Sequence, residues 1–160
     1  MKVLVVGSGI AGLVAALELS TAHQVTLITK SRLAESNTRY AQGGIAAVMA
    51  VEDSVAEHVD DTLRAGAGLC SREAVEILCA EGPARVHELI ALGVAFDRDQ
   101  GELAQGREAA HSRARVLHAG GDATGLAIEM ALVEALHRAR VEVLEHTFAC
   151  LLYTSPSPRD

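Results

Sequence analysis

The sequence predicts an α/β fold in which helices cover a parallel β-sheet. Two β-forming segments and a glycine-rich turn support this prediction. The segment Lys2–Val6 leads into glycines spaced as G-x-G-x-x-G, and a helical pattern continues to Ser20. A second β-forming segment, residues 24–29, follows at the distance typical of a βαβ unit. Together these features indicate a Rossmann-like nucleotide-binding unit at the start of the chain.

The three glycines of this turn suit a dinucleotide for separate reasons. Gly7 permits a tight turn, Gly9 lets the backbone approach a pyrophosphate, and Gly12 lets the helix pack closely on the strand. Free N–H groups at the helix start, with the helix dipole, attract the anion. The same spacing also occurs in ordinary βα turns, but the flanking strand and helix favour the dinucleotide interpretation.

The tip of the second predicted strand departs from the usual Rossmann pattern. An acidic side chain at this place normally binds a ribose hydroxyl, whereas this chain has Lys30. A cation there favours a 2′-phosphate, so the residues alone leave NADP as an alternative. A solvated lysine without a ligand is the other interpretation.

Composition narrows the class of protein. The chain has 160 residues, enough for one ordinary domain, and its formal net charge is −7 with scattered basic residues, which argues against nucleic-acid binding. We find no apolar run long enough to span a bilayer, and Met1 leads directly into the first strand without a signal peptide. The 3 cysteines are too widely spaced for a disulfide framework or a zinc site. We therefore expect a cytoplasmic protein with reduced thiols and no metal.

Downstream residues predict further helices and short strands. Val55, Val59 and Leu63 recur at helical spacing, and Ser71 suits the N-cap of the next helix. We expect Gly82 and Pro83 to interrupt that helix, because Pro83 suits the first turn of a new one. The remaining predicted elements are a helix to Leu92, a hairpin in residues 94–103, a helix in residues 123–140 and a strand in residues 141–146.

Two stretches do not fit this regular pattern. Residues 36–48 are too rich in glycine for a helix and too apolar for a disordered linker, and long structured loops of this kind are usually functional. Residues 151–160 break off into Ser-Pro-Ser-Pro, which cannot form a packed element. We therefore divide the chain into a partial domain, residues 1–149, and a foreign or disordered tail, residues 150–160.

Several motifs together resemble those of the L-aspartate oxidases. The segment SNTRYAQGGIAAV follows GSGIAGL and precedes HVDDTLRAGAGLC, and REAAHS and HAGGDATG come later in the same order. That family belongs to the superfamily of the succinate dehydrogenase and fumarate reductase flavoprotein subunits. The resemblance runs from Lys2 to about Ala149. It implies a Rossmann-like FAD-binding domain that is truncated before the cap domain is complete.

The resemblance also implies which residues hold FAD. Lys30 falls where the family has a lysine near the adenosine ribose, which removes most of the case for NADP. Phe148 and Ala149 fall where the family touches the adenine. The residues implied at the pyrophosphate are Gly7, Ser8, Gly9, Ile10, Ala11 and Gly12. Those implied at the flavin are Asn37, Thr38, Arg39, Tyr40, Ala41, Gln42, Gly43 and Gly44.

One position predicts that the FAD is not covalently bound. Membrane-bound members of the superfamily carry a histidine in S-H-T that bonds to the flavin. This chain has Asn37 in Ser-Asn-Thr at the same place, and an amide cannot form that link. Tyr40 before Ala41 and Gln42 agrees with the oxidase pattern. The resemblance therefore implies noncovalent FAD.

The activity implied is oxidation of L-aspartate to iminoaspartate, with O₂ or fumarate as acceptor, at the start of quinolinate and NAD biosynthesis. Glu108 matches a family glutamate near the substrate ammonium. The alternative interpretation is a surface carboxylate without a ligand. The family's two following glycines are Ala109 and Ala110 here. His111 and His118 are expected in supporting roles. Quinolinate synthase is a partner by family resemblance only, and neither nucleic acid nor membrane is expected.

Most of the family's substrate ligands lie further downstream, so we expect this chain alone to be catalytically silent. A soluble flavoprotein of the fumarate reductase or succinate dehydrogenase type is an alternative from the same superfamily. A nucleotide-binding module without catalysis is an alternative from a different class.

Overall fold

The computed structural model describes residues 1–150. The predicted tail, residues 151–160, lies outside the described residues. A short 3₁₀ turn, Thr38–Tyr40, precedes the third strand. In chain order the elements are β1 (Lys2–Val6), α1 (Ile10–Ser20), β2 (Gln24–Ile28), β3 (Ile45–Ala46), α2 (Val55–Ala65), α3 (Arg72–Leu92), β4 (Arg98–Asp99), β5 (Glu102–Leu103), β6 (Gln105–Gly106), β7 (Val116–Leu117), α4 (Thr124–Arg138) and β8 (Glu142–Leu144).

The chain divides into two compact units. The first unit contains Met1–Arg39 and the chain from Leu132 onward, and the second unit contains Tyr40–Ala131. The first unit therefore carries β1, α1, β2 and β8. The second carries β3 to β7 with α2 and α3, and α4 begins in the second unit and ends in the first.

The first unit is built on a parallel sheet in the order β1-β2-β8. Lys2 pairs with Gln24, so the predicted βαβ unit is confirmed; the strand predicted in residues 141–146 is present as β8, which pairs in parallel with β2 through Thr26 and Glu142. Leu13 and Ala16 of α1 are fully buried, which shows the helix covering the sheet. β1 lies at the edge of this sheet, where its outward-facing Leu4 is 57% exposed.

The second unit combines a small antiparallel sheet with two helices. Its sheet has the order β3-β7-β6, with β7 in the middle. Val59 of α2 packs with Val75 and Cys79 of α3 in a buried cluster. The predicted cap is confirmed, since the Ser71 side chain accepts a hydrogen bond from the backbone N–H of Ala74. A separate hairpin pairs β4 with β5, as the sequence predicts.

The predicted interruption at Gly82 and Pro83 is wrong. Helix α3 continues through both residues for 21 residues, with Pro83 inside it. Proline removes one helical hydrogen bond and normally bends or ends a helix. Here Cys79 on one side of the proline and Val86 on the other are both buried, each 1% exposed, so packing holds both segments in one helix. No helix within residues 1–150 is long and apolar enough to cross a membrane.

Candidate functional site

A glycine turn joins β1 to α1 in the first unit. Gly7 has a φ of 104°, in the left-handed region that favours glycine. A Cβ at position 12 would overlap the Gly7 carbonyl oxygen, so the first turn of α1 lies directly against the end of the strand. This is the geometry that the G-x-G-x-x-G spacing predicts.

At the N-terminus of α1, the N-cap residue provides no side chain to accept hydrogen bonds from the first backbone N–H groups of the helix. Gly9 is the N-cap and provides no side-chain hydrogen bond, and the first turn has no acidic residue. The first bond of the helix runs from the Leu13 N–H to the Gly9 carbonyl at 3.0 Å, and the Thr38 hydroxyl accepts from the Ile10 N–H at 3.0 Å. The N–H groups of Ala11 and Gly12 precede the first helical bond, so they have no partner within the helix. Such a donor set fits a pyrophosphate.

The other residues predicted at the nucleotide in the first unit surround this turn in sequence but differ in exposure. Ser8 is buried, and its hydroxyl lies 3.0 Å from the Thr29 hydroxyl at the end of β2. This contact ties the turn to the neighbouring strand. Thr38, Arg39 and Ala149 are half-buried, whereas the exposed residues are Lys30, Asn37 and Phe148.

The predicted flavin segment, residues 40–44, belongs to the second unit. The Ala41 carbonyl accepts a hydrogen bond from the Gly125 N–H at 3.0 Å, while Tyr40, Gln42 and Gly43 are exposed. Gly44 lies against β7. Since the glycine turn is in the first unit, the convergence of the two segments on one flavin stays a prediction.

Glu108 has a basic partner in the second unit. Its Oε1 lies 3.1 Å from Nε2 of His118, and the two side chains are 52% and 24% exposed, respectively. His118 directly follows β7, and Glu108 lies two residues beyond β6. The carboxylate is therefore neither buried nor an isolated surface charge.

A buried ion cluster, which we call the Arg115 cluster, consists of Asp53, Asp61, His111, Ser112 and Arg115. The Arg115 side chain is fully buried. Its Nε donates to Asp53 Oδ2 at 2.8 Å and its Nη2 donates to Asp53 Oδ1 at 2.7 Å. Its Nη1 donates to Asp61 Oδ2 at 2.7 Å. One guanidinium thus neutralises part of the charge of two buried carboxylates.

The same cluster fixes the segment that precedes β7. The backbone N–H and the hydroxyl of Ser112 both donate to Asp61 Oδ2, each at 2.6 Å. His111 Nδ1 lies 3.2 Å from Arg115 Nη1. Because Asp61 is part of α2, these bonds anchor residues 111–115 to that helix.

Hydrogen bonding dominates the electrostatics of the cluster. The hydrogen bond from Arg115 is the main reason that the pKa of Asp53 is lowered. Bonds from the Ser112 hydroxyl and N–H, with that from Arg115, hold the pKa of Asp61 far below its usual range. The bonds to Asp53 and Asp61 raise the pKa of Arg115. All three groups are therefore charged at neutral pH.

His58 is a buried neighbour of this cluster. Its ring centroid lies 5.4 Å from that of His111, and its Nδ1 has no hydrogen-bond partner. Burial, followed by the charge of Arg115 and the neighbouring His111, lowers the pKa of His58. The imidazole is consequently neutral at pH 7.

Sequence reasoning missed this cluster. His111 was expected in a supporting role, but nothing in the sequence marked Asp53, Asp61, Ser112 or Arg115 as partners. The one local signal is that Arg115 directly precedes the apolar pair Val116–Leu117, a place where a charged side chain needs a partner. Within residues 1–150, no group of three or more His, Cys, Asp or Glu residues is placed to hold a metal ion.

Comparison with known proteins agrees with the cofactor expected. A model of the family described as FAD binding domain matches residues 2–157. The L-aspartate oxidase of Streptomyces coelicolor is 48% identical over 98% of this chain, which spans 27% of that relative. The chloroplastic L-aspartate oxidase of Arabidopsis thaliana is 50% identical over 94% of this chain, which spans 23% of that protein.

A similar fold occurs in a solved structure of a larger protein. Mycobacterium smegmatis Sdh1 in complex with UQ1 superposes with a TM-score of 0.83 at 32% identity, covering 91% of this chain and 27% of the other. The chain thus spans about a quarter of the length of each of these three proteins.

Proposed function

This chain belongs to the FAD-binding domain family, and we propose that it forms the N-terminal part of an L-aspartate oxidase. The proposed reaction converts L-aspartate to iminoaspartate with FAD, in quinolinate and NAD biosynthesis, and O₂ or fumarate reoxidises the cofactor. The high identity to two L-aspartate oxidases over nearly the whole chain supports this substrate.

The observation that supports the cofactor assignment is the pair of backbone N–H groups, Ala11 and Gly12, that have no partner within α1. Gly9 has no side chain, and Gly12 lies directly against the Gly7 carbonyl, so backbone N–H groups are accessible to a diphosphate. Ala11 and Gly12 supply donors that the helix itself does not use. These donors fit the pyrophosphate of FAD.

In the proposed reaction the chain's own residues bind and orient. When bound, FAD would supply the redox chemistry, as the acceptor of a hydride from the substrate Cα. Ser8, Gly9, Ile10 and Ala11 would hold the pyrophosphate, and Gln42, Gly43 and Gly44 would lie beside the flavin ring. Glu108 accepts a hydrogen bond from the substrate ammonium and so fixes the position of Cα.

The remaining cofactor contacts are also part of the proposal. Asn37 cannot bond covalently to the flavin, so the FAD is noncovalent. Lys30, which is exposed after β2, is proposed near the adenosine ribose. The other proposed contacts are Thr38, Arg39, Tyr40 and Ala41 at the flavin and Phe148 and Ala149 at the adenine.

Partners and location follow from the same proposal. L-Aspartate is the proposed substrate, O₂ or fumarate the proposed acceptor, and quinolinate synthase a candidate partner by family resemblance only. Cys70, Cys79 and Cys150 are free thiols, which fits the reducing cytoplasm. Cell fractionation of the native host would test the location.

A second candidate function is a flavoprotein of the succinate dehydrogenase or fumarate reductase type. The similarity in fold to Mycobacterium smegmatis Sdh1 favours it. A nucleotide-binding module without catalysis is the third candidate, since the α1 N-terminus alone would suffice for binding.

One experiment separates the three candidates. The complete gene product that contains this sequence is reconstituted with FAD, and L-aspartate or succinate is added without oxygen. Loss of the flavin absorbance at about 450 nm with L-aspartate but not with succinate supports the proposal. Loss with succinate alone indicates the second candidate, and no loss with either indicates a binding module.

The 160-residue chain itself provides the matched control. We expect it to produce no peroxide with FAD and L-aspartate, because this chain spans only a quarter of the oxidase relatives. Peroxide formation at the rate of the complete protein would contradict this expectation.

A further inference from the structure

The middle strand of the antiparallel sheet brings together two segments that are far apart in sequence. β7 pairs with β3 through Ile45 and Leu117, and with β6 through Gly106 and Val116. Side chains alternate between the faces of a sheet, so residues two apart on a strand share one face. Gly106, Val116 and the next residue on that face of β7, His118, therefore lie on the same side.

Two glycines leave space for the His118 ring on this face. A Cβ at Gly44 would lie 3.0 Å from His118 Nε2, and a Cβ at Gly106 would lie 3.8 Å from His118 Cε1. The same Cβ at Gly106 would be 3.6 Å from Glu108 Oε1. The carboxylate of Glu108 thus extends back over Gly106 to meet the imidazole.

His118 is the anchored member of this pair. Its carbonyl accepts a hydrogen bond from the Asp97 N–H at 2.7 Å, and the Asp97 carboxylate accepts from the Gly120 N–H at 2.9 Å. Glu108 lies in an exposed segment, and its neighbour Ala109 has a φ of 48°. The imidazole therefore offers a fixed donor to a carboxylate whose own segment has little packing.

We propose that His118 is a positioning residue that orients Glu108 toward the substrate ammonium. Its Nε2–H donates to Oε1 of Glu108 and leaves Oε2 for the ammonium group, which requires the Nε2-protonated imidazole. This inference rests on the proposed function, because it assigns Glu108 to an amino-acid substrate. It predicts that His118 affects ligands with an α-ammonium and not the corresponding dicarboxylate without one.

The test uses the complete, FAD-loaded protein and two variants that differ by one methylene. The His118→Gln amide reaches the position of Nε2, whereas the His118→Asn amide is too short. Measured quantities are the KM for L-aspartate, the inhibition constant of succinate and the flavin content. We expect His118→Asn to raise the KM about tenfold with the succinate constant within about twofold, and His118→Gln to restore most of the loss.

A double-variant comparison checks that His118 acts through Glu108. With Glu108→Gln already present, we expect His118→Asn to cause little further change in KM, because the charged acceptor is gone. Glu102→Gln, in the exposed hairpin, is the control and should leave both constants unchanged.

Other outcomes overturn the inference. Equal changes in the two constants, no change in either, or loss of flavin in both His118 variants would each show that His118 does not position Glu108. If the unaltered protein does not oxidise L-aspartate, the proposed function fails and this inference with it. An active unaltered protein with unselective variants refutes the inference alone.

Discussion

The glycine turn of the first unit and the Arg115 cluster of the second unit differ in whether their polar groups have hydrogen-bond partners. In the turn, Gly9 contributes no side-chain cap, and the Thr38 hydroxyl accepts only from the Ile10 N–H, so the N–H groups of Ala11 and Gly12 have no partner within the helix. In the cluster, Arg115 and the carboxylates of Asp53 and Asp61 bind one another at 2.7 to 2.8 Å.

The difference separates the proposed ligand site from a structural cluster. In the proposed site, a bound anion would complete the open backbone donors of the turn. Charged side chains that form hydrogen bonds with one another have no free donor or acceptor for a ligand. We therefore expect changes in the cluster to alter stability, and changes at Gly9 to alter cofactor binding.

The largest expected effect is that of Arg115→Met. It leaves the carboxylates of Asp53 and Asp61 buried without their cation, and breaking a buried ion pair in this way costs about 3–5 kcal/mol. The free energy of unfolding from urea denaturation measures it. Arg113→Met, which removes an exposed ion pair with Glu57, is the matched control and should cause no resolved change.

Neutralising the stranded acids sharpens this test. Asp53→Asn and Asp61→Asn in the Arg115→Met background should recover part of the lost stability, because buried charges are removed. A cost for Arg115→Met as small as that for Arg113→Met would contradict the structural role of the cluster.

The next effect compares alanine substitutions at two glycines of the same turn, Gly12 and Gly9, in the complete protein. Gly12→Ala places a Cβ on the Gly7 carbonyl, so we expect a loss of about 1–3 kcal/mol in stability, with loss of FAD binding. In Gly9→Ala the new Cβ would lie 3.6 Å from the Thr38 hydroxyl, an ordinary contact.

We therefore expect Gly9→Ala to keep stability within about 0.5 kcal/mol while FAD affinity falls at least about tenfold, because the methyl group occupies the approach of the pyrophosphate. Urea denaturation and titration with FAD measure the two quantities. Unchanged FAD affinity in Gly9→Ala would remove the turn from the cofactor site.

The smallest effect is the response of the cluster to acid. The pKa of His58 is lowered from its ordinary 6.5, so on acidification this histidine takes up a proton in the unfolded chain before it does so in the folded protein. The free energy of unfolding should therefore begin to fall as the pH drops below 6.5. The pKa values of Asp53 and Asp61 are lowered from 3.8, so their contribution is present above about pH 4 and is lost below it.

His58→Gln should remove the first part of this dependence and leave the second. His87→Gln, on the exposed face of α3, should change neither part. Urea denaturation at about pH 7.5, 6, 5, 4 and 3 covers the His58 part and the beginning of the carboxylate part. Equal curves for the unaltered protein and His58→Gln would contradict the assignment.

Local patterns were enough to predict the βαβ part of the first unit. The glycine spacing and β-forming segments gave the parallel pairing of β1 and β2, because a short βαβ unit is determined by residues close in sequence. Ser71 likewise predicted the start of α3. Glycine and proline then misled the prediction at Gly82 and Pro83, where burial of Cys79 and Val86 outweighs the lost helical bond.

The Arg115 cluster was beyond prediction for a different reason. Arg115 is 62 residues from Asp53 and 54 residues from Asp61 in sequence. A long-range pairing of this kind depends on tertiary packing and leaves no periodic pattern. The His118–Glu108 contact is similar, because it arises only when β6 and β7 pair side by side.

The edge position of β1 has a practical consequence for handling this chain. Within the described residues, one side of β1 has no strand beside it, and Leu4 and Val6 on its outer face are 57% and 51% exposed. An unpaired strand edge beside exposed apolar side chains can pair with strands of other copies of the chain and so cause aggregation. Val6→Lys is therefore the first substitution to make when this chain is prepared at high concentration.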